Sequence, residues 1–398
     1  MKKKKVFVFL GSRANYSSLK SVMKNIEKSD KLDLILIVGA SALLDKYGEV
    51  VKLVEKDGFE IDEKIFMLIE GETPETMAKS TGLGIIELSG LLMKYRPDYT
   101  LIVGDRFEML AAAVASAYNN IPIVHTMGGE VSGSIDESIR HAITKLAHVH
   151  FPATELAKER ILQMGEEEKY VFNFGCPRID VVKDILNKPF EEGRINEYIK
   201  NQGVGDIFDV NSEFLLVSQH PVTTEYGRGR NQISETLKAL KEISLEREIP
   251  VLMLWPNADA GSDSIASGIR IFREKGEDHN FRFFKNIPLE IYVHLMDKTS
   301  CLIGNSSSGI REGAFIGTPV VNIGTRQINR ARGKNVIDVD YNYKNIKKAI
   351  YTQLKHKKYS SDSLYGKGNA GKKMAEVLGN IKVKLQKTFI KRNINFRD

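Results

Sequence analysis

A chain of 398 residues exceeds what one hydrophobic core usually organises, so two domains of about 150 to 200 residues each are expected. Its 42% hydrophobic and 27% charged residues are ordinary globular values, and no stretch approaches the roughly 18 uninterrupted apolar residues of a membrane span, which argues against a membrane protein. The net charge of +7 gathers at residues 2–5 and 382–397 without any nucleic-acid-binding motif beside it, so it reads as solvated termini and leaves an anionic small ligand open.

The first apolar run, 6–10, stops at Gly11-Ser12 and is too short for a signal peptide; it reads as a buried strand. Val- and Ile-rich runs at 34–38, 99–103, 121–125 and 148–151 follow, separated by helix-length segments, which is the pattern of βαβ units on a parallel sheet. After Gly175-Cys176-Pro177 the pattern pauses through a polar stretch at 187–212. It restarts with 214–218, 251–254, 281–284, 301–303 and 319–323. The fold class is therefore α/β, with two Rossmann-like, doubly wound parallel-sheet domains in tandem and a ligand expected in the interdomain cleft, facing the carboxyl ends of both sheets. The domains are assigned as 1–185 and 186–360, followed by a C-terminal segment, 361–398, whose helix over about 371–385 packs back on the N-terminal domain ahead of a basic tail. The two cysteines, Cys176 and Cys301, are far apart and lack CxxC or Cys/His spacing, so neither a disulfide framework nor a metal site is indicated, and a reducing cytoplasm fits.

The polar clusters that stand out follow strands. Gly11-Ser12-Arg13 matches neither GxGxxG nor a P-loop, but a guanidinium at Arg13 suits a phosphate. In Gly104-Asp105-Arg106-Phe107-Glu108, Asp105 reads either as a helix cap or as a site carboxylate. The stretch from His125 through Met127, Gly128, Gly129 and Glu130 to Asp136, Glu137 and His141 holds three glycines among many ionisable groups and looks like a site. His148 and His150, on a strand, read as core residues, whereas His220, ahead of a stiffening Pro221, is placed at a ligand. Gly304-Asn305-Ser306-Ser307-Ser308-Gly309 leads into a helix and offers hydroxyls and N–H groups to an anion, and Arg326 adds a cation. A diphosphate-bearing ligand is implied, with carboxylates mainly from the first half and phosphate-binding groups mainly from the second, as in nucleotide-sugar enzymes of the GT-B architecture. Reaction type does not follow from this pattern.

GSRANYSSLK, GDRFEMLAAA, GGEVSGSIDESIRHAITKLAH, QHPVTT, PNADAGS, GNSSSGIRE and GTRQINR, in this order from residue 11 to about 332, resemble the hydrolysing UDP-N-acetylglucosamine 2-epimerases. The resemblance implies anti elimination of UDP across C1 and C2 of the sugar to a glycal, then hydration with the opposite C2 configuration, for sialic-acid-type synthesis. It places Arg13, His220, Ser306, Ser307 and Arg326 at UDP, with Arg106, Asn257 and Glu312 around nucleotide or sugar. Asp105 and Asp136 align with family carboxylates and His220 assists the leaving phosphates. A third position, Glu in the family's His-x-Glu-Gly-Gly-Glu pattern, is Met127 here. Glu130 or Glu137 replaces the missing group; or the sugar differs and Met127 is a specificity residue, as in the related branch acting on UDP-2,4-diacetamido-2,4,6-trideoxy sugars in legionaminic-acid synthesis; or activity is impaired. No cofactor or metal is implied, and the partners expected are a UDP-sugar and further copies in a dimer or tetramer, without nucleic acid or membrane. A GT-B glycosyltransferase and a non-catalytic nucleotide-sugar-binding regulator are the competing readings.

Overall fold

The computed structural model describes residues 2–44, 50–70, 73–132, 135–191, 193–256 and 261–391. The chain divides into two compact units, one built from the described residues of 1–131, 135–181 and 366–398 and the other mainly from those of 182–365. Among the described residues no helix is long and apolar enough to cross a membrane.

In the first unit β1 (Lys4–Leu10), β2 (Leu32–Gly39), β3 (Glu63–Ile65), β4 (Tyr99–Val103), β5 (Ile123–Thr126) and β6 (Val149–Phe151) alternate with α1 (Arg13–Glu27), α2 (Val50–Lys56), α3 (Pro74–Tyr95), α4 (Phe107–Tyr118), α5 (Asp136–Leu146) and α6 (Glu155–Gln163). The sheet runs β3-β2-β1-β4-β5-β6 with every pairing parallel. Its central strands are apolar on consecutive positions because helices cover both faces; Val6 to Leu10 are all buried. The order reverses between β1 and β4, so the loops after these two strands, carrying Gly11-Ser12-Arg13 and Gly104-Asp105-Arg106, flank the switch point where such sheets bind ligands.

Helix α7 (Pro177–Leu186) leads to the second unit, with α8 (Gly193–Asn201), β7 (Val204–Gly205), β8 (Leu215–Ser218), α9 (Gly229–Arg247), β9 (Val251–Leu254), α10 (Ser262–Glu274), β10 (Phe281–Phe284), α11 (Leu289–Lys298), β11 (Cys301–Gly304), α12 (Ser307–Ile310), α13 (Glu312–Ile316), β12 (Val320–Ile323), β13 (Val336–Val339) and α14 (Tyr343–His356). The sheet order is β13-β12-β11-β8-β9-β10-β7, parallel except for the two-residue β7. One face is covered by Leu237, Leu240, Ile269 and Ile350 of α9, α10 and α14; the other by Ile195, Ile199, Ile291 and Leu295 of α8 and α11. Here the order reverses between β8 and β11, placing His220 and Asn305-Ser306 at the second switch point.

The last helix, α15 (Ala370–Asn380), belongs to the first unit and packs on α1. Asp180 receives its N-terminus: Oδ1 accepts from Ala370 N at 3.0 Å, and Oδ2 from Gly371 N and Ser21 Oγ at 2.7 Å each. The helix stops at Asn380, short of 385, because Lys4 Nζ donates to the carbonyls of Leu378 and Ile381 and the Tyr99 hydroxyl to that of Ile381, satisfying its exposed end. Beyond it the described residues, to 391, form no helix, and Leu385 and Ile390 bond to His148 and Gly165. The terminal lysines are thus not all solvated: Lys4 serves the α15 carbonyls, and Lys387 reaches buried Glu166 at 2.7 Å, where a carboxylate also engaged by Lys145 and His150 draws it in. His148 and His150 are buried core residues, the first accepting from Ile123 N at 3.1 Å.

Candidate active site

In the first unit the loop after β1 is fastened by Asn15, whose Oδ1 accepts from Gly11 N (3.2 Å) and Ser12 Oγ (2.8 Å), while Ser12 caps α1. Arg13 opens that helix, half-buried. Gly11 must be glycine because a Cβ there would stand 2.4 Å from Cγ of Glu108, a buried carboxylate that accepts from Arg106 Nε at 2.8 Å. Glu108 escaped notice in the sequence, where it passes for a helix-opening acid in the first turn of α4.

Asp105 does not cap α4: the cap position is Arg106, without a side-chain cap bond. Its carboxylate instead pairs with Arg140 Nη2, while Arg140 Nη1 donates to the Glu130 carbonyl at 2.7 Å. Arg140 therefore joins the loop after β4 to the loop after β5, with 2% of its side chain exposed against 25% for Asp105. Sequence reading missed Arg140; the available signal was its place with Ile143 and Thr144 on the buried stripe of α5. Asp136 and Glu137 occupy the first turn of α5, and Glu137 lies 3.8 Å from His141 Nε2. Burial first, then Arg140, holds the His141 pKa below its ordinary value. Glu130 is buried. Met127 adopts φ +64° and is 5% exposed, with its sulfur 4.0 Å from that of Cys176. His125, buried behind Gly104, is pushed down to about 3 by desolvation and stays neutral.

In the second unit one fully buried side chain organises the site. Asn305 Oδ1 accepts from His220 N at 2.7 Å and its Nδ2 donates to His220 O at 2.8 Å; its own carbonyl accepts from Arg326 Nη1 (3.2 Å) and Gln327 Nε2 (2.9 Å). Three loops, after β8, β11 and β12, thus meet at one residue, through its side-chain amide and its main-chain carbonyl. The imidazole of His220 is buried with Nε2 3.2 Å from Ser218 Oγ. Ser306 caps α12, its hydroxyl 2.8 Å from that of Ser308, and Ser307 begins the helix. Glu312 opens α13 and is buried. Gly304, at φ +128°, lets the chain turn where a Cβ would lie 2.2 Å from the Ser218 carbonyl. Asn257 lies outside the described residues. An imidazole, a guanidinium, hydroxyls and helix-start N–H groups gathered this way are the donor set a diphosphate needs.

The sequence pattern of the UDP-N-acetylglucosamine 2-epimerase family matches residues 24–379. The chain belongs to this family. A UDP-N,N'-diacetylbacillosamine 2-epimerase (hydrolyzing) of Legionella pneumophila is 33% identical over 378 residues, covering 95% of this chain and 96% of its own. A UDP-N-acetylglucosamine 2-epimerase of Neisseria meningitidis serogroup B is 34% identical over 401 residues, with coverages of 98% and 100%. The fold is that of a UDP-GlcNAc 2-epimerase from Neisseria meningitidis solved with UDP-GlcNAc, at a TM-score of 0.80, 19% identity and coverages of 94% and 99%. The chain is an enzyme of this 2-epimerase family, with the GT-B-like pair of Rossmann sheets.

Proposed function

We propose that the enzyme removes UDP from a UDP-2-acetamido sugar and returns the sugar, free and inverted at C2. In the first step the C1–O bond to UDP and the C2–H bond break on opposite faces of C1–C2, leaving a glycal with a C1=C2 double bond; in the second, water adds its hydroxyl to C1 and a proton to C2 from the face opposite to the one that lost it. The C2 proton has no adjacent carbonyl to acidify it, so departure of UDP must lead, and charge on the leaving phosphates must be stabilised. The observation that carries this reading is the convergence of His220, Ser306 and Arg326 on Asn305. Arg13, Ser307, Arg106, Asn257 and Glu312 complete the set assigned to nucleotide and sugar. Asp105 and Asp136, with Glu130 or Glu137, are the groups assigned to proton removal and return at C2. The redox state does not change overall, so the chemistry asks for no redox cofactor.

The first substrate reading is UDP-N-acetylglucosamine, giving N-acetylmannosamine for nonulosonate synthesis in the cytoplasm. Met127 favours a second. A buried thioether against Cys176, where the family pattern has a carboxylate, suits a less polar sugar such as UDP-2,4-diacetamido-2,4,6-trideoxyglucose, and the Legionella relative is named for such a substrate. Incubation with each UDP-sugar, with UDP release followed and the product identified by NMR, tests both. Release of UDP with a free 2-epimer from either one is the expected result, and the preferred sugar chooses between the readings. Turnover only when an acceptor is added would point to a glycosyltransferase, and tight UDP binding without turnover to a regulator.

A further inference from the structure

Asp105 lies at the end of a run of polar contacts inside the first unit. Its carboxylate meets Arg140 Nη2; the single hydroxyl proton of Thr144 is shared between the Arg140 carbonyl at 2.9 Å and His125 Nδ1 at 3.1 Å; and His125 Nε2 donates to the carbonyl of Gly104 at 2.8 Å, one residue before Asp105. Arg140, His125 and Thr144 are buried, so the contacts among them are shielded from water. A neutral imidazole that donates from Nε2 must accept at Nδ1, which fixes the tautomer and holds the backbone of Gly104 from one side while Arg140 holds the carboxylate from the other.

We infer that Arg140 is a positioning residue that orients the Asp105 carboxylate, and the loop of Glu130 with it, for proton transfer at the sugar. This rests on the reading of Asp105 as a proton-moving group. With 2% of its side chain exposed Arg140 is out of reach of a substrate, whereas Asp105, 25% exposed, is not. A planar guanidinium satisfies both acceptors at once, Asp105 from the loop after β4 and the Glu130 carbonyl at 2.7 Å from the loop after β5. A lysine ammonium at the same place carries the charge but not the fork, so geometry would be lost while neutralisation is kept. Loss of orientation at a reacting carboxylate falls on turnover rather than on nucleotide binding.

The test uses the full-length protein, the UDP-sugar that the wild type turns over, and four forms: wild type, Arg140→Lys, Arg140→Ala and Asp105→Asn. Steady-state UDP release gives kcat and KM, and calorimetry gives the UDP dissociation constant. The expected result is a kcat lowered at least about tenfold in Arg140→Lys and further in Arg140→Ala, with UDP affinity within about threefold of wild type. Guanidinium ion at non-denaturing concentration should restore part of the Arg140→Ala activity and none of that of Asp105→Asn. Wild-type kcat in Arg140→Lys and Arg140→Ala, beside an inactive Asp105→Asn, would overturn the inference alone. A parallel loss of UDP affinity and kcat without guanidinium rescue would reduce Arg140 to a structural residue and also overturn it. Should Arg140→Ala fail to fold, the kcat and UDP affinity of Arg140→Lys decide in the same way. Full activity in Asp105→Asn would instead remove the reading on which the inference stands.

Discussion

Asn305 and Arg140 solve the same problem with different chemistry. Each is a planar, multi-pronged polar group buried where loops from different strands meet, and each satisfies backbone atoms that would otherwise be stranded away from water. Replacing Asn305 by Ala removes the acceptor for the His220 N–H and the donor to its carbonyl, at about 1 to 3 kcal/mol for a buried group. The loop should shift to recover those bonds, and UDP should bind at least about tenfold more weakly by calorimetry; unchanged affinity would show that His220 holds its place without the amide. Gly304→Ala tests the same junction from the backbone. At φ +128° and 2.2 Å from a carbonyl oxygen the new methyl has nowhere to go, so denaturant unfolding should show a loss of at least about 2 kcal/mol. The placement of His220, Ser306 and Arg326 on loops after strands was legible in the sequence because apolar runs and turn residues mark where each strand ends. The roles of Asn305 and Arg140 were not, because a buried amide or guanidinium acquires its meaning from the group it faces, and that group is distant in sequence: 85 residues for Asn305 with His220 and 35 for Arg140 with Asp105.

At the scale of elements, the interior strands were legible because burial on both faces demands uninterrupted apolar runs, as in β1, β8 and β11. The elements the sequence hid are β3, β7 and β13, all at sheet edges and only partly buried or exposed. Helix α15 shows how an element's ends are set from outside it. Its amphipathic stripe, with Met374 and Leu378 buried, is local, but its start depends on Asp180 and its end on Lys4 and Tyr99. Asp180→Ala removes the acceptor for two helix-start N–H groups and the Ser21 hydroxyl, and urea unfolding should show the protein less stable by about 1 to 3 kcal/mol. A change below about 0.5 kcal/mol would mean that packing on α1 alone holds the helix.

Over the whole molecule, the buried ionisable groups of the first unit push in one direction with pH. Burial keeps His125, His148 and His150 neutral, with His125 lowered from 6.5 to about 3, so the unfolded chain takes up protons that the folded chain refuses. Burial alone would raise Glu166, but hydrogen bonds from His150, Lys145 and Lys387 outweigh it and bring the group down from 4.5 to about 2. The stability from these histidines is present above pH 6.5 and falls as pH drops below it, by at most about 1.4 kcal/mol per pH unit for each; that from Glu166 is lost between 4.5 and about 2. Denaturation followed from pH 7.5 to pH 4 should show a decline that sets in near pH 6.5, where the unfolded histidines begin to charge together, and a flat profile would contradict their burial as neutral rings.

The sequence by itself determined the alternation of strands and helices, the doubling of the Rossmann unit and the loops that carry polar clusters. These follow from periodicity and turn chemistry, which act between near neighbours in the chain. Tertiary structure decided that Asp105 turns from its helix to Arg140, that Met127 is buried beside Cys176, and that Asn305 ties the His220 and Arg326 loops together. Those outcomes depend on which distant groups share a desolvated space, where the cost of an unpaired donor or charge exceeds any local preference.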